Sequence, residues 1–169
     1  RYGENPHQIG AFYSQNIKNK LEQLHGKTLS YNNYSDIFAA LTISKSLPKN
    51  TGTAIVKHGN PCGVSALKNN LDSYKSALES DPISAFGGII SCNYKITQKL
   101  ALILNKIFLE VIVADGFEKK ALKILKSKKN LRLIDSSKIT FNEIWKFNSV
   151  DNFTLIQSED RKIFSKKDF

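Results

Sequence analysis

Two hydrophobic periodicities alternate through the middle of the chain, and this alternation limits the fold more than any other feature of the sequence. Apolar runs of strand length, bounded by turn residues, occur at 54–56, 87–91, 110–114 and 131–134. Segments with apolar residues at helical spacing separate them, at 70–80, 97–108 and 118–128. Strands and helices that alternate in this way are joined by crossover connections. The sequence therefore predicts an α/β fold in which helices cover both faces of a mostly parallel sheet.

The regions on either side of this pattern are less regular. A further helix is predicted at 36–47, where Pro48 ends it, and Thr97 is a suitable N-cap for the helix that follows it. Beyond Asp135 the pattern weakens, and apolar residues there are expected to contribute to the core: Trp145, Phe147, Phe153, Leu155 and Ile156. Because the chain begins with Arg1 and contains no Met, we expect it to be a piece of a longer protein.

The net charge of +10 raises the question of nucleic-acid binding. Nearly all of the positive charge comes from lysine, since the arginines are Arg1, Arg132 and Arg161. Planar, bidentate recognition of phosphates and bases depends mainly on arginine. A solvated, lysine-rich surface is therefore the favoured interpretation, with attraction of anionic small molecules second and a nucleic-acid-binding module third.

The cysteines Cys62 and Cys92 are expected to be reduced thiols of a cytoplasmic protein, because nothing in the sequence indicates secretion. A zinc site of the base-deaminase type needs His-x-Glu and a later Pro-Cys-x-x-Cys. Here His58 is followed by Gly-Asn, without the Glu, and Cys62 is followed by Gly-Val-Ser, without the second Cys. No zinc is expected, and no apolar run reaches the length of a membrane span.

The adjacent residues Lys57 and His58 are the first candidates for chemistry. They follow the predicted strand at 54–56, and Gly-Asn-Pro-Cys-Gly breaks the pattern immediately after them. In open α/β sheets ligands bind outside the carboxyl ends of the strands, where this segment is expected to lie. Histidine is the side chain best suited to proton transfer near neutral pH. The residues alone leave two interpretations open, a site and a structural turn.

Two other segments are rich in residues that contact ligands. Residues 81–88 end in Phe86-Gly87-Gly88, and paired glycines let backbone approach a ligand and expose amides to anions. A tight turn into the next strand is the alternative. Residues 1–8 begin with Arg1 and Tyr2, which are suited to holding a phosphate and stacking on a base, with a disordered terminus as the alternative.

Four blocks in order, at 1–8, 26–33, 55–63 and 81–90, resemble one enzyme family, and 110–114 also matches. The chain resembles the formyltransferase domain of the bifunctional purine enzymes, the AICAR transformylase/IMP cyclohydrolase family. The similarity extends from Arg1 to about residue 130 and departs at 149–153, where many members have an Arg and then Gly-Gly. It implies that residues 1–169 are the N-terminal, cytidine-deaminase-like half of that domain, truncated at both ends. It implies a three-layer subdomain without zinc.

The resemblance also implies an activity in de novo purine biosynthesis. A formyl group passes from the co-substrate 10-formyltetrahydrofolate to the 5-amino group of AICAR, giving FAICAR. That amine is a poor nucleophile because its lone pair is delocalised into the imidazole and the carboxamide. A base for its proton and a cation for the developing charge are therefore needed. By motif, His58 is the proton acceptor and Lys57 is the electrostatic and proton-donating partner.

The same resemblance implies substrate-binding residues, namely Arg1, Tyr2, Asn60, Phe86, Gly87 and Glu110. Family members are typically homodimers, and the longer protein is expected to be an IMP cyclohydrolase as well. Because most of the folate site is expected in the other half of the domain, we expect this chain to be inactive alone. A non-catalytic nucleotide-binding fragment and a basic nucleic-acid-binding module remain as alternatives.

Overall fold

The computed structural model describes residues 2–13, 21–140, 145–158 and 160. The chain divides into two compact units, Arg1–Ile139 and Thr140–Phe169. The first unit contains the strands β1 (Glu22–His25), β2 (Gly52–Lys57), β3 (Asn60–Ala66), β4 (Ile89–Cys92), β5 (Val111–Ala114) and β6 (Arg132–Asp135). Its helices are α1 (Tyr31–Ser46), α2 (Asn70–Ser80), α3 (Pro82–Ala85), α4 (Gln98–Leu104) and α5 (Lys119–Leu125). The second unit contains β7 (Trp145–Val150) and β8 (Phe153–Ser158).

The sheet of the first unit has the strand order β1-β6-β5-β4-β2-β3. Strands β4, β5 and β6 are parallel, whereas β2 is antiparallel to both β3 and β4, and β1 is antiparallel to β6. Strands β3 to β6 therefore run in one direction, and β1 and β2 run in the other. The predicted α/β class with a mostly parallel sheet is confirmed, although the sheet is mixed. The antiparallel part arises because β2 and β3 form a hairpin instead of a crossover.

Helices cover both faces of this sheet. Successive strand residues point to opposite faces, so each strand contributes side chains to both helical layers. One row in register across four strands consists of Ile55, Ile90, Ile112 and Leu133. These residues share a buried cluster with side chains of α2, α4 and α5. In the neighbouring row Ser91 faces α1, where the hydroxyls of Ser44 and Ser91 lie 2.7 Å apart. The result is three layers: α1, the sheet, and the remaining helices.

The predicted helices exist, but several of their bounds differ. Helix α2 has the predicted bounds, and Thr97 caps α4 by accepting a hydrogen bond from the backbone nitrogen of Leu100 at 3.3 Å. Helix α1 begins at Tyr31, before the predicted start at 36, because Ser30 and Asn33 form a reciprocal capping box. The predictions at 97–108 and 118–128 are too long, since α4 ends at Leu104 and α5 spans Lys119–Leu125.

Two strands were missed in the sequence. The predicted break after the strand at 54–56 is confirmed by the turn at His58 and Gly59, but strand β3, which begins at Asn60, was not expected. Proline is tolerated in this strand because Pro61 lies where the β2–β3 register shifts, between Ile55 and Val56. Strand β1 is a short edge strand, Glu-Gln-Leu-His, whose sequence lacks clear apolar alternation.

The second unit is an antiparallel hairpin in which Trp145 pairs with Ser158 and Val150 pairs with Phe153. The apolar side chains predicted to contribute core are all exposed: Trp145, Phe147, Phe153, Leu155 and Ile156. That prediction is wrong for the described part of the unit, because a hairpin of two strands has no second layer of its own. Within the described residues, no helix is both long and apolar enough for a membrane span.

Candidate active site

The segment that carries Lys57 and His58 lies at one edge of the sheet. Because β2 runs antiparallel to β4, the end of β2 lies beside the start of β4, where Val56 pairs with Ile89. Ile89 pairs in turn with Val111 at the start of β5. The expected carboxyl-end location is therefore correct only for β2. The parallel strands β4, β5 and β6 have their amino ends, not their carboxyl ends, on this side of the sheet.

His58 and Gly59 form the two-residue turn that joins β2 to β3. Lys57 pairs with Asn60, and both turn residues have positive φ, 52° for His58 and 74° for Gly59. Two-residue hairpins favour such turns because the backbone twist matches that of the strands. The side-chain amide of Asn60 donates to the carbonyl oxygen of His58 at 3.0 Å. Asn60 therefore braces the turn, and the exposed His58 lies at its tip.

Lys57 contacts the loop that enters β4. Its Nζ donates to the carbonyl oxygen of Phe86 at 2.8 Å. The ring of Phe86 is 59% exposed and lies against the ring of Phe108, with 5.3 Å between centroids. Gly87 has a φ of 76°, and its backbone nitrogen donates to the carbonyl oxygen of Phe108 at 2.9 Å. The Lys57 ammonium is thus held beside the two loop residues that the sequence singled out.

Glu110 lies at the entry to β5 and is half-buried. Its backbone nitrogen donates to the carbonyl oxygen of Gly88 at 3.1 Å. Its Oε2 accepts a hydrogen bond of 2.9 Å from the side-chain amide of the buried Asn33 on α1. The same oxygen lies 3.8 Å from a guanidinium nitrogen of Arg132. The carboxylate is therefore oriented by two neighbouring elements.

Asp36, also on α1, connects this group to the turn. Its Oδ2 accepts a hydrogen bond from the backbone nitrogen of His58 at 3.2 Å, and its Oδ1 accepts one from that of Gly59 at 2.7 Å. Together with the contact of Asn33 to Glu110, this closes a ring of contacts. The ring brings five candidate residues together: Lys57, His58, Asn60, Phe86 and Glu110, with Gly87 in the same loop as Phe86.

The sequence interpretation missed Asn33 and Asp36. The pattern Ser30-x-x-Asn33 ahead of an apolar segment is a signal for the start of a helix. That signal would have corrected the start of α1. It would not have shown that the two side chains reach the β2–β3 turn and the residue before β5, because these contacts join residues far apart in the sequence.

The first residues of the chain contribute to a separate aromatic pocket. Arg1 lies outside the described residues. Tyr2 lines a pocket of about 590 Å³ at the start of α1, and neither Lys57 nor His58 lines it. In this pocket the rings of Phe12 and Tyr34 are stacked with centroids 4.3 Å apart. The side-chain amide of Asn32 on α1 donates to the carbonyl oxygen of Glu4 at 3.3 Å, so the segment is attached to the helix that carries Asn33 and Asp36.

A second pocket includes Glu110 in its lining. It has a volume of about 350 Å³, and the cationic residues Lys27, Lys128, Lys129 and Arg132 also line it. Burial lowers the pKa of Lys128, whose Nζ donates to the carbonyl oxygen of Ile107 at 2.7 Å. Cationic side chains thus lie close to one of the predicted substrate-binding residues.

Both cysteines are free thiols. Burial raises the pKa of Cys62, and the nearby Asp81 acts in the same direction. Burial raises the pKa of Cys92 to about 12. Both thiols therefore stay protonated near neutral pH, where a thiol is a weaker nucleophile than a thiolate. In the part of the chain that the structure describes, no three His, Cys, Asp or Glu side chains are grouped in a way that could hold a metal ion.

Comparison with known proteins identifies relatives of the whole chain. Residues 1–169 match the AICARFT/IMPCHase bienzyme family. The bifunctional purine biosynthesis protein PurH of Caldicellulosiruptor saccharolyticus is 42% identical over 175 residues, covering 98% of this chain and 34% of the relative. The proteins of the same name from Bacillus cytotoxicus and Acetivibrio thermocellus are 46% and 48% identical, covering 95% and 83% of this chain.

The chain spans about a third of the length of these relatives, 34%, 32% and 28% respectively. The segments that form the ring of contacts lie within residues 1–169, the span of the family match. The resemblance inferred from the motif blocks is therefore confirmed, and the chain belongs to the AICARFT/IMPCHase bienzyme family.

Proposed function

We propose that this chain is part of an enzyme of de novo purine biosynthesis that transfers a formyl group from 10-formyltetrahydrofolate to AICAR. The observation that carries the proposal is the ring of contacts at the sheet edge. It joins Lys57 and His58 on one turn to Phe86, Gly87 and Glu110 on two neighbouring loops. These are the residues that the family resemblance assigns to catalysis and substrate binding.

In the proposed reaction the 5-amino nitrogen of AICAR attacks the formyl carbon, and the bond from that carbon to N10 of the folate breaks. His58, exposed at the tip of the turn, accepts the proton that the amine loses. Lys57 supplies the positive charge that stabilises the developing oxyanion, and it donates a proton towards the departing nitrogen. Its hydrogen bond to the Phe86 carbonyl keeps the ammonium at the edge where the substrate binds.

The remaining candidates hold the nucleotide. Phe86 presents an exposed ring for stacking on the aminoimidazole, and Gly87 gives the backbone beside it a left-handed conformation that few other residues adopt. Glu110 is suited to accepting hydrogen bonds from sugar hydroxyls, because Asn33 already orients its carboxylate. Asn60 braces the turn. The family resemblance also assigns Arg1 and Tyr2 to the substrate, and Tyr2 lies in the separate pocket at the start of α1.

We further propose that the chain is the N-terminal, cytidine-deaminase-like half of the transformylase domain, without zinc. The three-layer arrangement of the first unit supports this assignment. The longer protein would also carry IMP cyclohydrolase activity, as the description of the matching family indicates, and would form a homodimer. The chain alone would bind the nucleotide without transferring a formyl group, because it spans about a third of its relatives.

Binding is tested by titrating this chain with AICAR nucleotide and, separately, with a nucleic-acid duplex at several salt concentrations. We expect nucleotide binding that weakens in Glu110→Gln, because the carboxylate contact is lost. Tight duplex binding with a steep salt dependence, without nucleotide binding, would show that the chain is a basic nucleic-acid-binding module instead.

Catalysis is tested in a protein that carries this chain together with the remaining length of its relatives, called here the extended enzyme. We expect Lys57→Ala and His58→Ala each to lower the rate of transfer by at least about 100-fold, as is typical when a general acid or base is removed. Lys75→Ala, on the exposed face of α2, is a matched control and should leave the rate unchanged. Full activity in both site variants would overturn the proposed roles.

A further inference from the structure

The turn that presents Lys57 and His58 does not have the sequence that such a turn prefers. Two-residue hairpin turns with positive φ at both positions favour Asn-Gly or Asp-Gly. Here His58 occupies the first position with a φ of 52°. Histidine is one of the residues with a Cβ that adopt positive φ more often than most, but the conformation is still less favourable for it than for Gly. Support from outside the hairpin would therefore stabilise the turn.

Asp36 provides contacts that can supply this support. Its two carboxylate oxygens accept hydrogen bonds from the two successive backbone amides of the turn, at 3.2 Å from His58 and 2.7 Å from Gly59. A charged acceptor makes such bonds stronger than neutral ones. Both amides can face one carboxylate because His58 and Gly59 are both left-handed. The Asp36 carboxylate can therefore accept both hydrogen bonds only while His58 and Gly59 keep the turn conformation, and not if they were part of an extended strand.

Helix α1 relates the turn to the rest of the site. Asn33 and Asp36 are three residues apart, so they lie on the same side of the helix. Asn33 donates to Glu110 at 2.9 Å, and Asp36 accepts from the turn. The start of the helix is itself fixed by the capping box of Ser30 and Asn33. One helix side thus sets the separation between the Lys57–His58 turn and Glu110.

We propose that Asp36 is a positioning residue for the Lys57–His58 pair, acting through the two backbone amides of the turn. The inference rests on the proposed function, in which these two side chains carry the chemistry. Asp36 acts on them by fixing the backbone from which they extend. Its loss would allow the turn to leave the left-handed conformation and would move both side chains relative to Glu110 and the loop at Phe86.

The test compares Asp36→Ala and Asp36→Asn in the extended enzyme, with Asp72→Asn on the exposed N-terminal turn of α2 as the matched control. Asp36→Ala removes both acceptors, and we expect kcat to fall about 100-fold with little change in KM for AICAR, because misplacement of about 1 Å has an effect of this size. Asp36→Asn has the same shape and keeps one acceptor, so its kcat should lie between those of Asp36→Ala and the unchanged enzyme. Asp72→Asn should have the unchanged kcat.

A second measurement follows the turn itself. Hydrogen exchange of the His58 and Gly59 amides is measured in this chain by NMR, and we expect it to accelerate at least tenfold in Asp36→Ala, less in Asp36→Asn, and not in Asp72→Asn. The amides of β5 report on the fold and should be unaffected. If Asp36→Ala does not fold, kcat and the exchange of the His58 and Gly59 amides are measured in the isosteric Asp36→Asn instead, and they test the positioning role in the same way.

The outcomes separate the two proposals. If Lys57→Ala and His58→Ala retain full transfer, the proposed function fails whatever Asp36 does. If those variants are inactive while the Asp36 variants keep both kcat and slow amide exchange, the positioning role is overturned and the proposed function stands. A fall in kcat without faster exchange at His58 and Gly59 also overturns it, because Asp36 would then act directly on a substrate.

Discussion

Gly59 and Gly63 belong to the same hairpin and the same motif block, but their surroundings differ. Apart from its chain neighbours, no heavy atom of the described residues lies within 4 Å of a Cβ added to Gly59, whereas one added to Gly63 would lie 1.8 Å from the carbonyl oxygen of Ala77 on α2. Gly59 has a left-handed φ of 74°. The turn glycine is therefore required by backbone conformation, and the strand glycine by the close approach of a helix.

The comparison teaches that one motif can combine two independent physical requirements. At the turn, open space and polar contacts to Asp36 present Lys57 and His58 to solvent. Further along β3, tight packing places α2 against the sheet. Changes at the turn should therefore affect activity more than stability, and changes at Gly63 should do the opposite.

The largest change in stability is expected for Gly63→Ala. The added methyl group must push α2 away from β3, because its contact is a backbone oxygen that cannot move alone. We expect the free energy of unfolding, measured by urea denaturation, to fall by about 3 kcal/mol, at the upper end of the range for overpacking. Ala66→Gly, at the end of the same strand, is a control for glycine content. If Gly63→Ala lowers the free energy of unfolding no more than Gly59→Ala does, the comparison between the two glycines is contradicted.

A smaller change in stability is expected for Gly59→Ala. The methyl group has open space among the described residues, so the effect comes from holding Ala in the left-handed region and amounts to about 1 kcal/mol. In the extended enzyme the rate of transfer should nevertheless fall, because the strained turn presents His58 less accurately. Urea denaturation and the transfer assay are made on the same variant. Unchanged transfer with reduced stability would mean that the turn geometry is not part of the site.

The smallest change in stability, with the opposite sign, is expected for His58→Asn. Asparagine tolerates the left-handed conformation and precedes glycine in the preferred turn, so the free energy of unfolding should rise by roughly 0.5 kcal/mol. Transfer should be lost, since the amide cannot accept the proton. A drop in stability would show that the His58 side chain makes stabilising contacts that the turn conformation does not explain.

Much of the fold was predictable because it depends on local patterns. The α/β class follows from alternating periodicities, and the bounds of α2 and the N-cap at Thr97 follow from residues adjacent in the chain. Strand β3 was missed because Gly and Pro are normally breakers. The shifted register at Pro61 and the close approach of α2 at Gly63, which make them acceptable, are tertiary features. The core predicted around Trp145 failed because apolar composition does not specify what covers a strand.

The same division applies to the site. The sequence by itself determined the family, the candidate pair Lys57 and His58, and the loop residues Phe86, Gly87 and Glu110, because these lie in contiguous motif blocks. Only the tertiary structure decided that β2 runs antiparallel to β4, so that these blocks meet at one edge. It alone revealed Asn33 and Asp36 as the side chains that connect them. The physical reason is that hydrogen bonds between distant segments depend on strand direction and helix placement, which no local pattern encodes.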